Sequence, residues 1–107
     1  MSTPEVRSVF NQLEELRRKA RLSQVDVAAL VNVTRRSYTA WGLGRTIQDD
    51  RLADLKYAVF IIEQGMRKGE LPIRGHDRRP DTADQRREVI QQLKKCYPVN
   101  PYRISQA

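Results

Sequence analysis

The stretch Leu22-Ser23-Gln24-Val25-Asp26-Val27-Ala28-Ala29-Leu30-Val31-Asn32-Val33-Thr34-Arg35-Arg36-Ser37-Tyr38-Thr39-Ala40-Trp41-Gly42-Leu43-Gly44 decides the fold, because it reads as a helix, a tight turn and a second helix. Ser23 is a natural cap, since its hydroxyl can accept from the free amides of a first helical turn. Beyond it, Val27, Ala28 and Val31 fall on one side with Leu30 adjacent, at helical spacing. Ala28 is small where two helices meeting steeply across a short turn approach most closely. Asn32 stands where the chain must turn sharply, and asparagine tolerates the left-handed conformation better than most non-glycine residues. Val33 plugs the core beneath the turn. Thr34 caps a second helix whose first exposed residues are Arg35, Arg36 and Ser37. A helix that opens on paired arginines and presents its N-terminal turn suits phosphates and guanine edges.

Outward from this stretch, residues 2–20 read as a helix. Ser2 with Glu5 resembles a capping box, Pro4 suits the first turn, and Val6, Phe10, Leu13, Leu16 and Ala20 form a buried stripe. Gly42, Gly44 and the polar residues to Gln48 make a loop. Asp49 or Asp50 caps a further helix, on which Leu52, Leu55, Val59, Ile62 and Met66 share one face. Tyr57, Ala58, Phe60 and Ile61 widen its apolar arc, so more than one face must be covered, either by the C-terminal segment or by a second subunit. From Arg67 to Pro80, Gly69, Pro72, Gly75 and Pro80 punctuate a polar segment in which no helix should persist. Thr82 with Gln85 forms another capping box and opens a last helix to about Tyr97. Its narrow apolar stripe of Val89, Ile90, Leu93 and Tyr97 lies opposite Arg86, Arg87, Lys94 and Lys95, and such a helix must dock somewhere. Pro98 ends it, and the tail is extended. The expected class is all-α: a helical domain over residues 1–66 and, over 67–107, a basic linker, helix and tail that serve dimerisation or partner binding.

Twenty Lys and Arg against thirteen Asp and Glu give the 107 residues a net charge of +7. The excess favours a polyanionic partner, because each neutralised phosphate releases counterions. Arginine outnumbers lysine, which tilts toward phosphate and base recognition through its planar fork. Residues 1–48 carry eight basic and four acidic groups, residues 49–66 two and four, and residues 67–107 ten and five. The helix over 49–66 is therefore expected to face away from DNA. One cysteine, Cys96, rules out an internal disulfide and fits a reducing cytosol. No apolar run approaches the roughly 18 residues that span a bilayer, and the N-terminus lacks a signal-peptide stretch. These features predict a cytoplasmic protein, nucleoid-associated when bound to DNA, with no membrane partner.

Leu22, Ser23, Gln24, Val27, Ala28, Val33, Thr34, Trp41 and Gly44 resemble the Cro/C1-type (lambda-repressor-like) helix-turn-helix family, and Leu13, Leu16, Arg17 and Ala20 are similar to that family's first helix. The likeness covers about residues 8–62. Asn32 stands in place of the usual turn glycine, and Gly42 in place of the acidic residue that follows the aromatic. The resemblance implies a lambda-repressor-like domain of four to five helices with a C-terminal helical extension. It implies that Arg35, Arg36 and Thr39 reach base edges in the major groove, that Ala40 contacts a thymine methyl, and that Gln24 binds a backbone phosphate. A good bidentate arginine–guanine pair discriminates by about 1–3 kcal/mol. Thr34 and Ser37 belong to the same DNA-binding turn, with the Ser37 hydroxyl available to a phosphate, and Arg45 is placed as a phosphate clamp. Tyr38 and Trp41 are expected in the core. Arg17, Arg18, Lys19 and Arg21 serve as solvated partners of helix-end carbonyls, whereas Arg78 and Arg79 form either a basic arm into an adjacent groove or a solvated linker.

An enzyme is hard to build from this inventory. His76 and Cys96 lie on distant segments, no metal-ligand spacing exists, and there is no glycine-rich phosphate loop; no cofactor or metal is expected. The function implied is a sequence-specific regulator, a repressor that binds an inverted-repeat operator as a homodimer with half-sites about one helical turn apart. It autoregulates a phage or mobile-element operon, the anti-CRISPR-associated operons being one example of similar size and layout. Phe60, Ile61, Val89, Ile90, Leu93 and Tyr97 are the expected dimer surface. Two alternatives stay open: an antitoxin whose flanking segment grips a toxin, and an RNA-binding regulator, although the deep A-form major groove excludes a recognition helix.

Overall fold

The computed structural model describes residues 3–73 and 83–103. Five α-helices follow in order: α1 Pro4–Lys19, α2 Gln24–Leu30, α3 Arg35–Gly42, α4 Leu52–Arg67 and α5 Ala83–Cys96. There is no strand among the described residues, which are all-α. The boundaries follow local chemistry. Thr3, not the expected Ser2, caps α1 by accepting from the Val6 amide at 3.3 Å, with Pro4 in the first turn; Ser2 and Thr82 lie outside the described residues. Ser23 and Thr34 cap α2 and α3 by accepting from Asp26 and Ser37 amides. Asp49 and Asp50 do not cap α4. They form a 3-10 turn, Asp49–Arg51, that runs directly into the helix without a side-chain cap.

The first four helices end in the same way. Arg21, Asn32, Gly44 and Gly69 have φ of 58°, 59°, 99° and 79°, each one residue past a helix C-cap. In each case two amides reach back to the last turn. The pairs are Arg21 to Arg18 and Leu22 to Arg17, Asn32 to Ala29 and Val33 to Ala28, Gly44 to Trp41 and Arg45 to Ala40, and Gly69 to Met66 and Glu70 to Gly65. This is the Schellman arrangement, in which a left-handed residue lets the chain leave the helix while the orphaned carbonyls stay satisfied. Asn32 therefore supplies the left-handed residue that ends α2, and Gly44 does the same for α3.

One hydrophobic core joins all five helices. α1 buries Val6, Phe10 and Leu13 and packs mainly against α4. α4 buries Leu55, Tyr57, Ala58, Val59, Ile61 and Ile62, positions that span more than one face. The extra face is covered from within the chain by α5, which packs against both α2 and α4. Gly65 is the notch that permits this. A Cβ there would come within 2.7 Å of Leu71 Cδ1 and 2.9 Å of Leu93 Cδ1.

Residues 97–103 fold back over the start of α4 rather than extending away. Tyr57 donates its hydroxyl to the Tyr97 carbonyl at 2.7 Å, and the Asn100 amide donates to the Ala53 carbonyl at 3.2 Å. Arg103 donates to the buried Asp54 carboxylate at 2.7 and 3.1 Å, and Phe60 packs edge-on against Tyr97 and Tyr102. This bears on the expected dimer surface of Phe60, Ile61, Val89, Ile90, Leu93 and Tyr97, three of which are taken up within the chain. Ile61, Ile90 and Leu93 are buried in the core, and Phe60, Val89 and Tyr97 are partly buried against it. The surplus apolar surface of α4 is spent on the chain's own C-terminal segment. No helix among the described residues is long and apolar enough to cross a membrane.

Candidate nucleic-acid interface

α3 has two sides with different chemistry. Tyr38 and Trp41, three residues apart, point inward and are buried. They meet Phe10 of α1 in an aromatic cluster with ring centroids 5.3 to 6.2 Å apart. Such tilted and edge-on pairs add a directional preference to the area they bury. The expectation that Tyr38 and Trp41 belong to the core is met.

Polar contacts hold the same side. Tyr38 donates its hydroxyl to Glu14 at 2.6 Å, and Arg17 donates to both Glu14 oxygens at 2.8 and 3.1 Å. Arg17 also donates to the Leu22 carbonyl at 3.1 Å, so it serves the end of α1 and the start of the next element together. Burial works against the charge on Glu14, but the hydrogen bonds from Arg17 and Tyr38 outweigh it and hold the carboxyl below its ordinary range. Glu14 in turn raises the Arg17 guanidinium. Burial, with the bond to Glu14, pushes the Tyr38 phenol far above its usual value. The triad is a neutral phenol, a carboxylate and a guanidinium at every physiological pH.

The far end of α3 is held by Arg7 of α1. Its guanidinium donates to the Trp41 carbonyl at 2.7 Å and the Arg45 carbonyl at 2.8 Å, and stands 5.4 Å from the Phe10 ring centre. A cation at the carbonyl end of a helix complements its dipole. On the adjoining side, Gln24 accepts a hydrogen bond from the Thr39 hydroxyl at 3.0 Å, which ties the first residue of α2 to the middle of α3.

What remains exposed is the first turn. Thr34, Arg35, Arg36 and Ser37 all face solvent, and Thr34 and Ser37 hydroxyls bond each other at 3.1 Å. Neither Arg35 nor Arg36 forms an ion pair with any described residue. Thr39 and Ala40 are half-buried beside them. Arg45 is exposed at the opposite end, beyond a helix about 12 Å long. The structure thus gathers Thr34, Arg35, Arg36 and Ser37 at the first turn of α3, places Thr39 with Gln24 beside its middle, and sets Arg45 apart.

Arg7, Glu14, Asp26 and Arg86 went unread as positioning residues. Asp26 carries a local signal: with Ser23 it forms a reciprocal capping box, the Ser23 amide donating to Asp26 Oδ2 at 2.8 Å. The same buried oxygen accepts from Arg86 Nε at 2.7 Å, so α5 is clasped to the N-terminus of α2. Arg86 was expected on the solvent face of α5 and instead docks it. Arg78, Arg79 and His76 lie outside the described residues. Cys96 is exposed at the end of α5, and the described residues contain no group of His, Cys, Asp and Glu that could hold a metal ion. No family model, curated protein or solved structure matches the chain.

Proposed function

We propose that the chain is a sequence-specific DNA-binding regulator of Cro/C1 type, in which α2 and α3 form a lambda-repressor-like helix-turn-helix and α3 is the recognition helix. One observation carries the reading. Arg35 and Arg36 stand exposed and without an ionic partner among the described residues, on the first turn of a helix whose opposite side is anchored by aromatic packing and charged hydrogen bonds. Cations left bare on a rigid support suit a polyanion. Their planar forks at a helix N-terminus suit guanine edges and phosphates in a major groove. Thr39 and Ala40 follow into the groove, while Gln24 and Arg45 flank it on the backbone. The regulator acts as a repressor of its own phage or mobile-element operon, dimeric on an inverted repeat, through a surface other than Ile61, Ile90 and Leu93.

The test is a titration of the chain, and of Arg35→Ala/Arg36→Ala, against duplex from its own promoter and a scrambled duplex at two salt concentrations. Promoter-selective binding by the wild type, lost in the double variant, is the expected result. Each phosphate contact adds about 0.9 to the slope of log affinity against log salt. Equal, weak and steeply salt-dependent binding of both duplexes overturns sequence specificity and redirects the search to RNA or a protein such as a toxin.

A further inference from the structure

α2 and α5 touch but do not close on one another along their length. Between them lies a cleft of about 480 Å³ whose apolar lining includes Val25, Ala29 and Ile90. Val25 is 50% exposed there, an aliphatic side chain left open beside an apolar wall. The separation of the two helices is set at one end by the Asp26–Arg86 pair at 2.7 Å, which lines the same cleft. Asp26 is the one acid of the lining, and its charge is already met by Arg86 and by the Ser23 amide. Arg87 and Lys94 lie along the α5 rim. Lys94 has no ion pair among the described residues, and Arg87 makes only a 3.7 Å contact to Asp84 on its own helix, with both side chains well exposed.

An apolar lining, two weakly compensated cations on one wall and a volume in the range of small-molecule sites define a ligand class. We propose that the cleft between α2 and α5 binds an amphipathic organic anion, with an aliphatic body on Val25, Ala29 and Ile90 and its carboxylate at the cationic α5 rim that carries Arg87 and Lys94. Charge complementarity selects the anion: within the lining Asp26 and Arg86 answer each other, and Arg87 and Lys94 are the cations that remain along the rim. The apolar lining selects the body, since burying a half-exposed valine and its neighbours removes apolar surface from water. The proposal goes beyond the DNA reading and does not depend on it.

The experiment is a two-dimensional NMR titration of the full isotope-labelled chain with octanoate, 1-octanol and acetate, below the concentrations at which octanoate forms micelles. Octanoate is expected to give saturable shifts confined to residues 23–29 and 83–94. Octanol should bind at least about tenfold more weakly, equivalent to the loss of about 1.4 kcal/mol, and acetate should shift nothing there. Ala29→Trp, at an exposed position, fills the cleft and abolishes the octanoate shifts. Arg87→Glu/Lys94→Glu leaves the apolar lining intact and weakens octanoate by at least about tenfold. Absence of localised octanoate shifts, equal affinity for octanol, or unchanged affinity in the double charge reversal each overturns the proposal. None of these readouts involves DNA, so failure here leaves the operator titration standing.

Discussion

Arg7 never faces the exposed turn of α3, yet its removal should weaken everything that turn does. In Arg7→Met the aliphatic stem is retained and the guanidinium is lost. The Trp41 carbonyl then loses a partly buried charged donor at 2.7 Å, and the Arg45 carbonyl an exposed one at 2.8 Å. A charge-assisted bond in a partly buried setting contributes about 1.5 kcal/mol, and the solvent-exposed one about 0.5 kcal/mol or less. The cation over Phe10 adds about 0.5 kcal/mol at such a site. Because all three belong to one side chain, about 2 kcal/mol is the expected total, which for a chain of this size lowers the melting temperature by about 8–16 °C. Arg7→Lys keeps the charge but has no fork to span two carbonyls, so it should recover less than half of the loss. The assay is thermal unfolding of the three proteins, followed by promoter-duplex affinity at a temperature where all are folded. A melting temperature for Arg7→Met within about 2 °C of wild type, or full recovery by lysine, would refute the reasoning.

Two further outcomes follow from the same anchoring. Arg21 holds φ 58° in the α1 Schellman turn, where a side chain costs about 1–2 kcal/mol and glycine loses about 0.5–1 kcal/mol of that advantage to chain entropy. Arg21→Gly should therefore raise the urea midpoint by an amount equal to about 0.5–1 kcal/mol, and a lowered midpoint would contradict the role assigned to that turn. Glu14 is held below its ordinary value, so its stabilisation is present above the unfolded-state pKa near 4.5 and is lost as pH falls through the lower folded value. The stability gap between wild type and Glu14→Gln, measured by urea unfolding, should be constant from neutral pH to about 5 and close below it; a gap that widens on acidification would show that the carboxylate is not the stabilising form.

What could be read from the sequence was local. Ser23, Asn32 and Thr34 each act within three residues of themselves, so residue type and spacing were enough to place a cap, a turn and a second cap. The inward Tyr38 and Trp41 follow from the period of one short helix. Asp26 was within reach by the same logic, since Ser-x-x-Asp is a capping box in which Asp takes the place of Glu or Gln. The contacts from Arg7 to Trp41 and Arg45, and from Arg86 to Asp26, join residues 34, 38 and 60 apart. Nothing in a local window separates such an arginine from a solvated one. The width of the apolar arc on α4 was legible, but not its occupant. Periodicity reports that surface must be covered and is silent on whether the cover is the same chain. Gly65 decided that question, because only a residue without a Cβ admits Leu71 and Leu93.

The length of α3 explains why distant residues matter to it. Eight residues are too few for a stable isolated helix in water, where about 12–15 are needed even for favourable sequences. The cap from Thr34 and the Schellman turn at Gly44 satisfy its ends but supply only part of the deficit. The rest comes from packing against α2, with the Gln24–Thr39 bond, and from the side-chain contacts of α1: Phe10, Glu14–Arg17–Tyr38 and Arg7–Trp41. α1 and α2 together therefore fix where the Arg35 and Arg36 backbones stand, and α1 contributes the side chains that hold the inner face and far end of α3. Ordering the backbone before a ligand arrives removes that cost from binding. A substitution on α1 that leaves every exposed cation in place should then lower affinity for a polyanion in proportion to the stability that α3 loses.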